Sequence, residues 1–572
     1  MIPESVRTTN TARVPRNAVC EVGFTAAREV DDPHAAIRLD VEFTDPEGVR
    51  RVVPAFWDGG REWRVRYSSP LEGIHMYRSR AAGTDVTGLD GVEGELTVVG
   101  YDGENPLLRH GAVVVADDSR HLAHADGTPF LWLADTWWSA TTARFRWPDV
   151  FQQLAADRHA KGFNVIQVVA GLVPEFPPFA PEMASEGGQP WTGEAGDEGA
   201  EQINPAYWEI PDLKVDHLVG LGMVPCIFGA WGYWARILGR ERVLLHWRYL
   251  VARYAAYPVV WSIAGEVDLA RLHGDQRQDG EVLRRRAAAQ VEVWEEASRL
   301  VREIDPFARV RTVHPTPAPP TWSYASGETF TSRDSFELDM LQTGHTGRNC
   351  IEPTMEHLTA ALAHGDKPVL NGECSYEGIL GSSWEDVQRF LFWSHMLSGT
   401  AGHTYGTMPI STFNSKVDPW VPNSRVSMHF WEDAIDWAGA THVGVGRRIL
   451  ERLPWWELTP SPQSFAPHAG PEDWQLPYAA RLADGTLVVY LPGVGMLREN
   501  EWTRLSSWTL AGLVPGTDYR VTYVDPRTGD EHAPFTFHAA DSEHEHALGY
   551  SWNTPTGEDW VMIVQSFSPA RQ

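Results

Sequence analysis

Between about residues 17 and 110 the chain alternates apolar and polar positions. AIRLDVEFT (36–44), EWRVRYS (62–68) and GELTVVGY (94–101) have the period-two or β-branched character of strands, and Gly, Pro and Asp clusters separate them. No stretch there has a helical period, so the segment predicts a small β-sandwich. From about residue 111 the pattern changes to short apolar runs set between longer amphipathic stretches. Eight runs qualify as strands: FLWLA (130–134), NVIQVV (164–169), MVPCIF (223–228), VVWSI (259–263), RVRTV (309–313), LDMLQ (338–342), PVLN (368–371) and AGHTY (401–405). The clearest helix between them carries Leu283, Ala287, Val291, Trp294, Ala297, Val301 and Ile304 at steps of three and four and stops at Asp305-Pro306. Others are expected over 241–255 and 384–397. The connection 314–337 has no clear helix.

Eight buried strands alternating with helices predict a (β/α)8 barrel. Beyond about residue 453 the β pattern returns in LVVYLPG (487–493) and YRVTYVD (519–525), with turns at PGTDY and DPRTGDE. The expected fold is therefore α/β: a (β/α)8 TIM barrel over 111–452, flanked by an N-terminal β-sandwich (1–110) and a C-terminal β-sandwich (453–572). A Gly- and Glu-rich stretch, 185–202, reads as a long loop after strand 2 on the face where barrel enzymes carry their chemistry.

Composition narrows the partners. The 48 Lys and Arg against 76 Asp and Glu leave a formal charge of −28, which disfavours nucleic acid. No apolar run reaches the roughly 18 residues of a membrane span. The start, MIPESVRTTNTARVPRN, lacks the apolar core of a secretory signal, so the chain reads as cytoplasmic. Cys20, Cys226, Cys350 and Cys374 have no CxxC spacing and read as buried thiols. The 26 tryptophans are mostly core by default, although their flat faces also suit sugar rings. No cofactor is expected. The first strand has no HxH pair of the kind that opens many barrel metal sites, and His544-Glu545-His546 reads as a solvated turn in the C-terminal sandwich. No phosphate-binding Gly-rich loop is evident. The expected partner is a small carbohydrate, and the sequence is compatible with a homo-oligomer.

Catalytic groups of such barrels lie just beyond the C-terminal ends of the strands. Reading off those ends gives Asp135, Trp137 and Trp138 (strand 1), Trp231, Tyr233 and Trp234 (strand 3), Glu266 and Asp268 (strand 4), His314 (strand 5), Gln342 and His345 (strand 6), Asn371, Glu373, Tyr376 and Glu377 (strand 7), and His403 and Tyr405 (strand 8). Acids, imidazoles, amides and aromatic rings thus converge on one face. Glycosidic cleavage needs two carboxyl groups flanking the bond. Glu266 after VVWSIAG and Glu373 after PVLNG sit on strands at opposite sides of the mouth, and each follows a glycine. Asp135 is expected to hold a hydroxyl pair, Trp137 or Trp138 to stack on a sugar, His345 and His403 to donate to it, and Tyr376 and Tyr405 to donate to Glu373. For each the alternative is packing or a structural hydrogen bond. Cys374 should point away from the site.

These motifs resemble a known group. WSIAGEVD (261–268), DMLQTGH (339–345), KPVLNGECSYEG (367–378) and FLWLADTWW (130–138) look like the apiosidase-like barrels of the large retaining glycosidase clan. PAFWDGGREWRVRYSSPLEG (54–73) resembles the small β-domain preceding such barrels. The resemblance implies Glu266 as acid/base, Glu373 as nucleophile and carboxyl groups about 5–5.5 Å apart. Many clan members carry Asn before the acid/base to hold the sugar 2-hydroxyl. Here that residue is Gly265, leaving Asn371 or His314 for the task. The expected activity is exo-acting, retaining hydrolysis of an oligosaccharide or glycoside. The alternatives are a non-catalytic glycan-binding barrel and a metal-dependent barrel hydrolase.

Overall fold

The structure is a computed structural model describing residues 7–9, 13–174, 176–192, 201–270, 280–344, 346–420, 429–471, 473–496, 507–550 and 554–567. Eight parallel strands form the central sheet: β1 (Trp132–Trp137), β2 (Val165–Val169), β3 (Val224–Phe228), β4 (Val260–Ser262), β5 (Arg311–Thr312), β6 (Asp339–Gln342), β7 (Val369–Glu373) and β8 (Gly402–Tyr405). Their order, β5-β4-β3-β2-β1-β8-β7-β6, is that of a barrel laid open between β5 and β6. At that seam the Ser326 hydroxyl donates to the Val313 carbonyl (2.6 Å) and accepts from the Met340 amide (2.9 Å). Beside it, the Gln342 amide donates to the Tyr324 carbonyl. The result is a nearly closed (β/α)8 barrel.

A helix follows each strand: α1 (Asp149–Lys161), α2 (Glu209–Gly220), α3 (Trp234–Tyr254), α4 (Gly280–Ile304), α5 (Ser326–Thr329), α6 (Ile351–Leu362), α7 (Glu385–Ser398) and α8 (Ala438–Leu450). In α4, Leu283, Ala287, Trp294, Ala297 and Val301 are buried, as their spacing requires. The connection without a helical pattern holds only the single turn α5 and a 3-10 turn, Arg333–Ser335. Inside the barrel Trp132 lies where a Cβ on Gly402 would come within 2.5 Å of its own Cβ, and its indole N–H donates to Thr404 Oγ1. A glycine on β8 thus makes room for a tryptophan on β1. Among the described residues no helix is long and apolar enough to cross a membrane.

Among the described residues three β-sheets precede the first barrel strand, of four, five and three strands. Ile37–Thr44 alternates as its sequence predicts, burying Ile37, Leu39, Val41 and Phe43. Phe43 stacks on Tyr67 of the facing sheet with centroids 4.0 Å apart. The opposite parity of the strand Glu62–Tyr67 meets the barrel. There buried Arg66 donates to Glu21 Oε2 (2.8 Å) and to the Arg253 carbonyl of α3 (2.7 Å), and it pairs with Asp212 of α2. Arg253 grips the same carboxylate with two 2.9 Å bonds. These cations hold Asp212 far below the usual carboxylate range despite its burial.

After the barrel come a six-stranded and a three-stranded sheet. In Leu487–Leu491 the odd positions Leu487, Val489 and Leu491 join a core with Phe465, Leu510 and Met562, whereas Val488 and Tyr490 join the barrel's core. Tyr490 stacks on Trp393 of α7, and both Tyr490 and Arg389 bond to Asp559. The expected turn at His544–His546 is instead the start of a strand, Glu545–Tyr550. The His546 ring stacks on Phe537 at 3.8 Å, a contact that a solvated turn would not provide.

Candidate active site

Glu266 lies four residues beyond β4, in the left-handed region (φ 42°) that a residue with a side chain rarely adopts. Such a conformation costs on the order of 1–3 kcal/mol and persists only where its surroundings enforce it. Here the Gly265 amide donates to the Ala230 carbonyl, Gly232 donates to the Gly265 carbonyl at 2.7 Å, and Val267 donates to the His314 carbonyl. Two glycines permit the approach. A Cβ on Gly232 would lie 2.2 Å from the Glu266 carbonyl oxygen, and one on Gly265 would lie 2.3 Å from the Trp231 ring.

The half-buried Glu266 side chain receives two N–H groups. Trp231 Nε1 donates to Oε2 (3.1 Å) and Gln342 Nε2 to Oε1 (3.0 Å). The Glu266 backbone amide reaches His314 Nδ1 at 3.4 Å, and His314 Nε2 lies 3.1 Å from Glu373 Oε2. That second contact is close, though its N–H is not aligned as a full hydrogen bond. A single buried imidazole therefore spans the space between the two glutamates.

Glu373 is the last residue of β7 and is almost wholly buried. Its amide donates to Asn371 Oδ1 (3.3 Å), Asn371 Nδ2 donates to Thr343 Oγ1 (3.0 Å), and the Thr343 amide closes the loop onto the Glu373 carbonyl. Tyr376 bonds to the Glu373 side chain and to Thr136, and it accepts from Trp138 Nε1 at 2.9 Å. Burial first, and then the Glu373 charge, push the Tyr376 phenol far above its ordinary value, so it stays a proton donor. Trp138 packs edge-on against Phe228 (4.9 Å) and Trp231 (5.4 Å), with His314 at 6.0 Å.

Glu266, Glu373, Trp138, Trp231, His314, Gln342 and Tyr376 thus come together, with Asn371 directly behind. Four candidates face elsewhere. Asp135 accepts from Arg158 Nε of α1 (2.7 Å) and from Trp137 Nε1 (2.9 Å). Trp137 packs on Phe145 and Phe151. His403 meets His395 of α7 (Nδ1–Nδ1 3.1 Å), and Tyr405 donates to Glu377. The reason is strand parity. β1 continues to Trp137, so Asp135 and Trp137 share its outer face, as His403 and Tyr405 share that of β8, while Thr136 and Thr404 point inward. Cys374 is turned from the site as expected, with Sγ 3.1 Å from the Thr404 carbonyl. His345 lies outside the described residues. Thr136, Phe228 and Thr343 complete the site unforeseen; for Thr136 the parity of β1 was the available signal. Two surface cavities, of about 270 and 670 Å³, share Arg120, Trp456 and Pro460 in their walls, and neither is lined by Glu266 or Glu373.

Comparison with known proteins places this (β/α)8 barrel in the class of glycoside hydrolases. Residues 116–457 match the family described as apiosidase-like, catalytic domain, and the chain belongs to that family. Residues 13–82 match a domain of unknown function (DUF5060). Among solved structures, a putative glycoside hydrolase from Bacteroides vulgatus ATCC 8482 is 18% identical, with a TM-score of 0.67, covering 97% of this chain and 100% of its own. A glycoside hydrolase family 5 protein from the same organism is 21% identical, with a TM-score of 0.62, covering 81% and 95%. A third, named glycoside hydrolase, is also 21% identical, with a TM-score of 0.63, covering 82% and 100%. No curated protein matches.

Proposed function

We propose that this glycoside hydrolase is exo-acting and retaining, and that it cleaves a short oligosaccharide or glycoside by double displacement between two glutamates. Glu373 attacks the anomeric carbon as a carboxylate. Glu266 gives its proton to the departing oxygen and then takes one from the water that releases the sugar. The observation that carries this reading is the asymmetry of the pair. Glu373 is buried and bonded by a neutral phenol that is itself held by the Trp138 N–H, a donor that favours the attacking carboxylate form. Glu266 is half-buried, as suits a group that must meet both a leaving group and water. Its two N–H donors favour the carboxylate, while the Glu373 charge beyond His314 opposes it. Trp138, Trp231 and Phe228 pack together beside the two glutamates and supply the apolar ring surface a sugar needs.

The test has two parts. Proton NMR of the first-formed product on an active aryl glycoside should show the substrate's own anomeric configuration. Glu266→Ala should keep kcat/KM on substrates with good leaving groups and form a glycosyl azide in azide, whereas folded Glu373→Gln should be inactive on every substrate. An inverted product, or a folded and active Glu373→Gln, would remove the mechanism.

A further inference from the structure

Behind Glu373 lies a second layer of buried charge that the reaction itself does not touch. It begins with the Asp135–Arg158 pair, whose guanidinium stands 5.7 Å from the centre of the Tyr405 ring. The Tyr405 hydroxyl donates to Glu377 Oε2, and the amide of Gly439, in the first turn of α8, donates to Glu377 Oε1 at 3.0 Å. A Cβ on Gly439 would come within 2.4 Å of Oε2, so that glycine is what lets α8 approach the carboxylate. Glu377 is also fixed through its backbone, its amide donating to the Gly406 carbonyl at 3.0 Å beyond β8. Its chain neighbour is Tyr376, which holds Glu373. A Cβ on Gly406 would strike the Tyr376 ring at 2.4 Å, so Tyr376 is pressed against the same stretch of backbone.

We infer that Glu377 is a positioning residue for the nucleophile: as a carboxylate gripped by Tyr405 and the start of α8, it fixes Tyr376 against Glu373, and its protonation releases that grip. Both groups facing its oxygens are donors, one to each. A proton on the carboxyl weakens both bonds, because a neutral carboxyl is a poorer acceptor than a carboxylate. The other groups around it act in opposite senses. Glu385 at the start of α7 disfavours the charge and Arg158 favours it, while burial outweighs both and lifts the carboxyl to about 7. Gln388 of α7 lies alongside, its Cγ close to Gly439, and its amide donates to the Ser375 carbonyl one residue before Tyr376. A group ionising there is charged above neutrality and loses the charge just below it.

This inference rests on Glu373 being the nucleophile. The experiment measures pH profiles of kcat/KM for the wild type, Glu377→Gln and Tyr405→Phe, with folding checked by circular dichroism and Glu373→Gln run alongside. The wild-type acidic limb is expected near 7. In Glu377→Gln, which has no carboxyl to titrate there, that limb should disappear from neutrality and move to lower pH. In Tyr405→Phe, which loses one donor to the carboxylate, it should move upward instead. Limbs that stay in place while activity drops evenly across pH, or that move in the same direction in both variants, would overturn the inference. If Glu377→Gln does not fold, an unmoved or lowered limb in Tyr405→Phe overturns it alone. A folded, active Glu373→Gln would instead overturn the nucleophile assignment, so the two failures are distinct.

Discussion

Gly265→Ala gives a sharp test of how Glu266, the proposed acid/base, is held. The added Cβ would sit 2.3 Å from Cε3 and Cζ3 of Trp231, whereas carbon atoms rest at about 3.5–4.0 Å. The indole must therefore retreat by about 1.2 Å or more. It cannot do so freely, because Trp138 and His314 pack against its other sides. Overpacking of this kind costs about 1–3 kcal/mol of stability, visible as a lowered Tm. The functional cost falls on one step. Trp231 Nε1 is 3.1 Å from Glu266 Oε2, and a shift of this size breaks that bond and releases the carboxyl from its place. Misplacement of a catalytic group by about 1 Å costs on the order of 100-fold. The assay is kcat/KM, which reports formation of the glycosyl-enzyme, across aryl glycosides of graded leaving-group pKa. Poor leaving groups should lose about 10- to 100-fold and good ones far less, because only the former need the proton. An equal loss across the series, or no loss and an unchanged Tm, would refute the reasoning.

Three further outcomes follow from the same contacts. Gln342→Met removes an N–H donor from the ionised form of Glu266, so the carboxyl rises and the basic limb of kcat/KM should move to higher pH by about 0.5–1 unit; an unmoved limb would deny the contact its role. Asp135→Ala leaves Arg158 buried beside a missing partner and should destabilise the fold by about 3–5 kcal/mol in urea unfolding, while KM changes little; a large rise in KM with unchanged stability would return Asp135 to the sugar. Arg66→Met removes one of the cations shared by Glu21 and Asp212 where the N-terminal sheets meet α2 and α3, and should cost about 1.5–3 kcal/mol without altering the pH profile of kcat/KM.

The barrel was readable because strands covered on both faces are nearly continuous apolar runs, and the helices between them keep a 3.6-residue period. That Glu266 and Glu373 lie at the same mouth was readable because both follow barrel strands. What escaped was parity. FLWLA ended β1 at residue 134, but the strand runs to Trp137, and that extension sends Asp135 and Trp137 outward and Thr136 inward. The same rule separates His403 and Tyr405 from Thr404. The position of His314 between the glutamates depends on the curvature that brings β5 opposite β7, which no local pattern encodes. The exchange of an asparagine side chain for the Trp231 ring beside Gly265 is likewise a contact between strands, legible in the sequence only as a departure.

The seam between β5 and β6 has a mechanical consequence. Every other neighbouring pair in the barrel is joined by a strand ladder, while this one is held through Ser326 and a few backbone bonds. It is therefore the joint at which the wall yields first. The two strands it separates lead to His314 and Gln342, the residues that span and steady the acid pair. A wall compliant at this place would let the mouth widen for a sugar to enter or leave while β7 stays laddered to β6 and bridged to β8 at Asn371–His403. Amide exchange should report this directly, with the Met340 N–H exchanging well before those of β1 and β2.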